Sequence, residues 1–438
     1  MKNKKRLIFF LALSLAVCSG CAIRPDSGAG QEKYTFAPEQ KEEDSNSKTE
    51  EEPEDTEYIP VDIEEKQNEE ETEEKMAAEG QTADTKTESI LAQMTLEEKA
   101  AQLFVVLPEA MVDGVSVVTK AADATKEAIG RIPAGGFIYL EHNLQSPEQV
   151  KEMLGNVQEY SMERIGLPAF LCVDEEGGKV ARVSGNDNFG IAAIESMAEV
   201  GQSQDIVRAS EIGNTMGEYL FDLGFNVDFA PVADVLSNQE NSVVKERSFG
   251  SDVGLVSDMA AAVAKGLEEK GVFAVYKHFP GHGMTAGDTH AGYAYSDKTL
   301  EEIEACELIP FQRAIAEGAS FLMIGHISLP QITGEDIPAS LSHTVMQELL
   351  REKMGYDGIV ITDAMNMGAI VQQYSSAKAA VLAVEAGADL ILMPEDFKAA
   401  YAGILEAVQN GTLSEERIDE SVKRIVGTKL KWKERDVR

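Results

Sequence analysis

Residues 251–278 read SDVGLVSDMAAAVAKGLEEKGVFAVYKH, and how this stretch divides decides the fold. Ser251–Lys270 carries the 3.6-residue apolar period of a helix with one covered face. Gly271 ends it, because a helix C-terminus favours a residue free to adopt positive φ. Val272–His278 is then a short strand candidate, apolar until its last two positions, Lys277 and His278. A strand without polar alternation is one covered on both sides, as in a parallel sheet flanked by helices.

The same unit recurs along the chain. Strand candidates are Leu103–Leu107, Gly136–Leu140, Ala169–Asp174, Asn226–Val232, Val272–His278, Phe321–Ile327, Gly358–Asp363 and Asp389–Pro394. Helical stretches between them include Ser146–Glu163, Leu300–Glu317, His343–Met354 and Ala377–Glu385, with Gly224, Gly271, Gly318, Gly355 and Gly387 as stops. Eight β–α units predict a closed (β/α)8 barrel of the TIM type. A doubly wound open sheet is the alternative, and the first strand lacks the Gly-x-Gly-x-x-Gly turn expected there. About 44 residues follow the eighth strand, room for two helices.

A barrel places its chemistry at the C-terminal ends of its strands. Those ends hold Asp174-Glu175-Glu176, Asp228, Lys277-His278, His326 and Asp363. Five strands of eight thus end in ionisable groups, which a purely structural barrel has no reason to gather. Beyond strand five run Lys277-His278-Phe279-Pro280-Gly281-His282-Gly283 and Asp288-Thr289-His290, holding three of the six histidines. Residues two apart in extended chain share a side, so Asp288 is placed to orient His290 and stabilise its imidazolium. Such a pair suits proton transfer near neutral pH. The loop's Gly281, Gly283 and Gly287 are candidate hinges that could swing His290 inward. His282 is read as a brace of this loop, His142 and His343 as solvated.

These blocks resemble glycoside hydrolase family 3, and within it the bacterial β-N-acetylhexosaminidases. The resemblance rests on the Lys277–Gly283 run with Asp288-Thr289-His290, on Asp174–Arg182, on Asn226–Val232, on Glu246–Gly250 and on Ile361–Met367. It covers about residues 90–438. It implies a retaining exo-β-N-acetylglucosaminidase acting on terminal β-linked N-acetylhexosamine, with peptidoglycan fragments as substrate. Asp363 would be the nucleophile and His290, partnered by Asp288, the acid/base. Asp174, Arg182, Arg247, Lys277 and His278 match sugar-binding positions. No cofactor and no metal are implied, and a monomer is expected. A phosphorylase of the same family and a non-catalytic sugar-binding lipoprotein are the competing readings. A metal-dependent barrel hydrolase would place His-x-His on strand one, which Leu103–Leu107 does not offer.

The 438 residues are 43% hydrophobic, enough for a large core. With 39 basic and 76 acidic residues the net charge is −37, which argues against nucleic acid as a partner. The charge is uneven: residues 1–30 carry +4 and residues 31–90 carry −16. Lys2, Lys4, Lys5 and Arg6 precede the short apolar run Leu7–Val17, the pattern of an export signal. Ser19-Gly20-Cys21 resembles a bacterial lipobox, so Cys21 is the expected lipidation site and the outer face of the cell membrane the expected location. The expected organisation is a signal over 1–20, a disordered acidic linker over 21–88 and the barrel over 89–438. The linker is too poor in apolar groups to offset the entropy of ordering. Cys172 and Cys306 lie in apolar and helical runs and are read as buried, or at most one bridge.

Overall fold

The computed structural model describes residues 84–286 and 294–436. Eight parallel strands form its centre. We number them β1 (Phe104–Val106), β2 (Gly136–Ile138), β3 (Phe170–Val173), β4 (Val227–Asp228), β5 (Phe273–Phe279), β6 (Phe321–Ile324), β7 (Ile359–Thr362) and β8 (Ile391–Leu392). Seven of the expected strands contain one of them, and β5 runs one residue past the expected end at His278, to Phe279. The hydrogen-bonded order is β7-β6-β5-β4-β3-β2-β1-β8. The ring closes where Leu390 N–H donates to Val360 O at 3.0 Å and Thr362 N–H to Leu390 O at 3.0 Å. Closure leaves no open sheet edge, and the (β/α)8 expectation holds.

Helices cover the outside, and their ends follow from local chemistry. Ser146 caps Pro147–Ile165 by accepting from Gln149 N–H, and Gly166 ends that helix at φ 71°. Asp252 caps Val253–Glu269 through Leu255 N–H. The stretch expected as one helix over Leu300–Glu317 is two, Leu300–Glu304 and Ile309–Ala316, because Pro310 cannot supply the N–H that a continuous helix needs. The bend buries Glu307, which accepts from Ser237 Oγ at 2.6 Å and Lys298 Nζ at 2.5 Å. Two helices, Phe397–Gln409 and Glu415–Asp436, follow β8.

The barrel interior is aromatic and closely packed. Phe170 and Phe321 meet edge-on at 5.3 Å, and Phe273 lies 5.4 Å from Phe321. Each such fully buried ring contributes about 2 kcal/mol over an exposed one. Toward the C-terminal helix the interior also holds Lys429, fully buried, donating to Gln102 Oε1 at 2.7 Å over the face of Phe170. Cys172 is buried, Cys306 half-buried, and both are free thiols.

Residues 84–91 are helical, with Thr87 buried. This corrects the expected linker boundary at residue 88. Ile90 and Leu91 pack against the core, and this apolar end draws the preceding turn of acidic chain into helix. The expected signal, Cys21 and the rest of the linker lie outside the described residues.

Candidate active site

The strand ends surround a cavity of about 560 Å³ lined by Asp174, Glu176, Arg182, Arg247, Lys277, His278 and Asp363, among others. Beyond β3 the chain folds into a short antiparallel ribbon, Glu175–Gly177 against Val180–Ala181. Extended backbone sends alternate side chains to opposite sides, so Asp174 and Glu176 face the cavity while Glu175 faces away. Glu175 is fully buried and accepts from Val183 N–H, Ser184 N–H and Tyr219 Oη, each at 2.8 Å. It pins the ribbon.

Glu176 is the hub of the charged wall. Its carboxylate takes Arg247 Nε and Nη2, each at 2.7 Å, and Lys277 Nζ at 2.5 Å. Lys277 also reaches Asp174 Oδ1 at 2.9 Å. Burial alone would raise the Glu176 pKa, but Arg247 and Lys277 outweigh it and hold the group far below the usual carboxylate range. Burial likewise pulls Lys277 down, and Asp174 and Glu176 more than restore it. Glu176, Lys277 and Arg247 therefore stay ionised, fixing the donors that the wall offers to a polyhydroxylated ligand.

Asp363 follows β7 and accepts from Ala364 N–H at 2.7 Å. Burial favours its neutral form. His326, His278, the Ala364 N–H and Lys277 overcome that, leaving the carboxyl below its ordinary value. It is an ionised carboxylate on the cavity wall, the state a nucleophile requires.

Behind His278 lies Asp234, fully buried, with Oδ2 at 2.7 Å from His278 Nδ1. Its Oδ1 accepts the backbone N–H of His278 at 3.2 Å and of His282 at 2.6 Å. The turn Gly281–Met284 is packed hard. A Cβ on Gly283 would sit 2.0 Å from Val235 O, and Gly281 takes φ +128°. This corrects the reading of Gly281 and Gly283 as hinges: one allows a close approach, the other a positive φ, and Gly287 lies outside the described residues. His282 is buried, bonds Thr285 Oγ1 through Nδ1 at 3.0 Å and lines the cavity, so it braces the loop and faces the site together.

The structure brings together Asp174, Arg182, Arg247, Lys277, His278 and Asp363, all named from sequence. Arg182 contributes a buried Nε without a partner among the described residues. Asp288 and His290 lie outside those residues; the chain on either side is joined by Ala286 and Tyr295, whose backbones exchange two 3.1 Å hydrogen bonds. Two strand-end groups turn out to be internal. Asp228 is fully buried and accepts from Glu175 N–H at 2.9 Å, and burial raises its pKa well above the usual value. His326 bonds Ser340 Oγ at 2.7 Å and Ala364 O at 3.0 Å, holding the backbone next to Asp363. Sequence reasoning missed Asp234 and left Glu176 unassigned. Alternation from Asp174 would have found Glu176, whereas Asp234 lies six residues past the end of β4 and gives no local signal.

The sequence model of the Glycosyl hydrolase family 3 N terminal domain matches residues 95–428. The chain belongs to glycosyl hydrolase family 3. It is 30% identical over 337 residues to Beta-hexosaminidase A of Pseudoalteromonas piscicida, covering 72% of this chain and 56% of that one. It is 34% identical over 271 residues to Beta-hexosaminidase LpqI of Mycobacterium tuberculosis, covering 60% and 68%. Its structure superposes on a family 3 β-N-acetylglucosaminidase from Paenibacillus sp. str. FPU-7 with TM-score 0.72 and 36% identity, covering 78% of this chain and 63% of the other. The chain thus spans only about half to two thirds of the length of these relatives.

Proposed function

We propose that the chain is a retaining exo-β-N-acetylglucosaminidase. One observation carries the reading: Asp363, ionised, stands on the wall of a cavity whose other polar groups, Asp174, Lys277, His278 and Arg247 among them, suit a sugar's hydroxyls. The names of its family 3 relatives support N-acetylhexosamine as the sugar. Asp363 attacks the anomeric carbon and the glycosidic C–O bond breaks, giving a glycosyl ester. His290 gives its proton to the departing oxygen. Water then attacks the same carbon, His290 takes its proton, and the Asp363 carboxylate is released. Asp288 stabilises the imidazolium form of His290.

The proposed substrates are peptidoglycan-derived fragments carrying terminal N-acetylglucosamine. The proposed place is the outer face of the membrane, through lipid on Cys21, with the acidic linker as spacer. The Lys2–Arg6 basic cluster, the Leu7–Val17 run and Ser19-Gly20-Cys21 support this. Loss of lipid from the mature protein in Cys21→Ser, read by mass, tests it.

The activity test is a panel of aryl N-acetylglucosaminide, aryl glucoside and a muropeptide, each with and without phosphate. The reading expects turnover of the first and third, with free sugar as product. A phosphate-dependent rate yielding a sugar 1-phosphate would replace it with the phosphorylase reading. No turnover of any substrate would leave a binding protein.

A further inference from the structure

We infer that Asp234 is a positioning residue that fixes His278 as a hydrogen-bond acceptor toward the cavity. The inference in its kinetic form rests on the hydrolase reading above. Asp234 is completely buried and meets three donors: His278 Nδ1 at 2.7 Å, His278 N–H at 3.2 Å and His282 N–H at 2.6 Å. A carboxylate only accepts, so the proton shared with His278 belongs on Nδ1. On the other side of the ring, Nε2 lies 3.4 Å from Arg247 Nη2. A guanidinium only donates. Nε2 is therefore the ring nitrogen that carries the lone pair, and the neutral form of His278 is the Nδ1–H tautomer.

This assignment gives the cavity a specific polarity. Lys277 and Arg247 donate, Asp174 accepts, and His278 adds a second acceptor with a fixed direction. A sugar hydroxyl that donates to Nε2 would meet a correctly turned lone pair at no reorganisation cost. The His278 and His282 backbone N–H groups hold Asp234 Oδ1 in place, so its Oδ2 meets the ring from a fixed position and the ring cannot rotate away without losing the Nδ1 hydrogen bond. Asp234 lines no part of the cavity and acts through the two histidines it holds, on the ring of His278 and on the backbone of His282. The groups facing Asp234 are His278, His282 and, more remotely, Arg247; those facing the His278 ring are Arg247, the His282 ring at 5.6 Å and, more remotely, Asp363.

Asp234→Asn breaks the logic at one atom. Its amide can turn an N–H toward Nδ1, which moves the ring proton to Nε2 and sets two donors against each other at Arg247. Histidine-selective ¹⁵N labelling reads the tautomer directly, since the chain has six histidines and His278→Gln assigns the signal. The expected result is a neutral Nδ1–H ring for His278 in the wild type and its loss in Asp234→Asn. On aryl N-acetylglucosaminide, kcat/KM falls about 100-fold, the larger share in KM. A wild-type His278 protonated at Nε2 overturns the proposal, and needs no variant to fold. So does a folded Asp234→Asn with unchanged tautomer and KM. A wild-type protein with no turnover at all sinks the hydrolase reading instead, while the tautomer measurement still decides the role of Asp234.

Discussion

Arg247 grips Glu176 through two parallel 2.7 Å hydrogen bonds, and the gripped carboxylate is almost wholly withdrawn from water. Two segments far apart in sequence, the ribbon after β3 and the turn before Val253–Glu269, are locked together by this fork. Lys277 from β5 shares the same carboxylate, so two loops of the barrel mouth and one strand meet on a single side chain.

Removing that charge is therefore costly. In Glu176→Gln, Arg247 and Lys277 stay buried with too little negative charge, and breaking such a pair costs about 3 kcal/mol. Denaturant unfolding of the variant should show a lower midpoint at unchanged slope. A midpoint equal to the wild type would show that the fork does not hold the mouth together.

The same carboxylate gives the protein an acid limit. Its folded pKa lies far below that of the unfolded chain, about 4.3. Below that value the unfolded state binds a proton that the folded state does not, so stability is fully present above it and lost as pH falls further. Asp234 and Asp363, also depressed, add in the same direction. Stability measured from neutral pH downward should stay level and then fall, and the fall should be shallower in Glu176→Gln.

Lys429 works at the other end of the scale. Burial pushes its ammonium down to about 7, with Cys172 opposing. Between that value and the unfolded lysine value of about 10.4, the unfolded chain holds a proton that the folded one lacks, so stability rises with pH across this window. In Lys429→Met that rise should be absent, and the stability difference between the two proteins should drift steadily from about pH 7 to about pH 9. Parallel curves would show that Lys429 does not titrate in this range.

Turnover should depend on Asp363 without the fold doing so. Asp363→Asn keeps the Ala364 N–H contact but cannot form the glycosyl ester, so kcat should drop at least ~1,000-fold on aryl N-acetylglucosaminide. The unfolding midpoint should remain near that of the wild type. Retained turnover would remove Asp363 from the nucleophile role.

Gly283 carries a steric prediction. A methyl group there meets Val235 O at 2.0 Å, which forces the backbone of the loop apart. Gly283→Ala should destabilise by about 2 kcal/mol. Asp234 loses its hold on His282 in the process, so KM should rise as well. An alanine variant with wild-type stability and KM would show that the loop gives way without cost.

Most of the architecture could be read locally. Apolar runs ending in charge, separated by amphipathic stretches and stop glycines, specify strand, helix and strand end, because burial on two faces and the 3.6-residue period leave few alternatives. Asp363, Lys277, His278 and Asp174 were legible for that reason: a barrel brings strand ends to one rim. What the rim does with them was decided only in three dimensions. Asp228 ends a strand like the others, yet its carboxyl is closed off beneath Glu175, since chain position does not say which groups the neighbouring loop will cover. Asp234 looked like an ordinary loop residue and became the buried partner of His278. Sequence alone determined that charges converge; the tertiary structure decided which are exposed to a ligand and which are held behind them, because hydrogen-bond pairing and burial depend on neighbours that are 44 to 103 residues away along the chain.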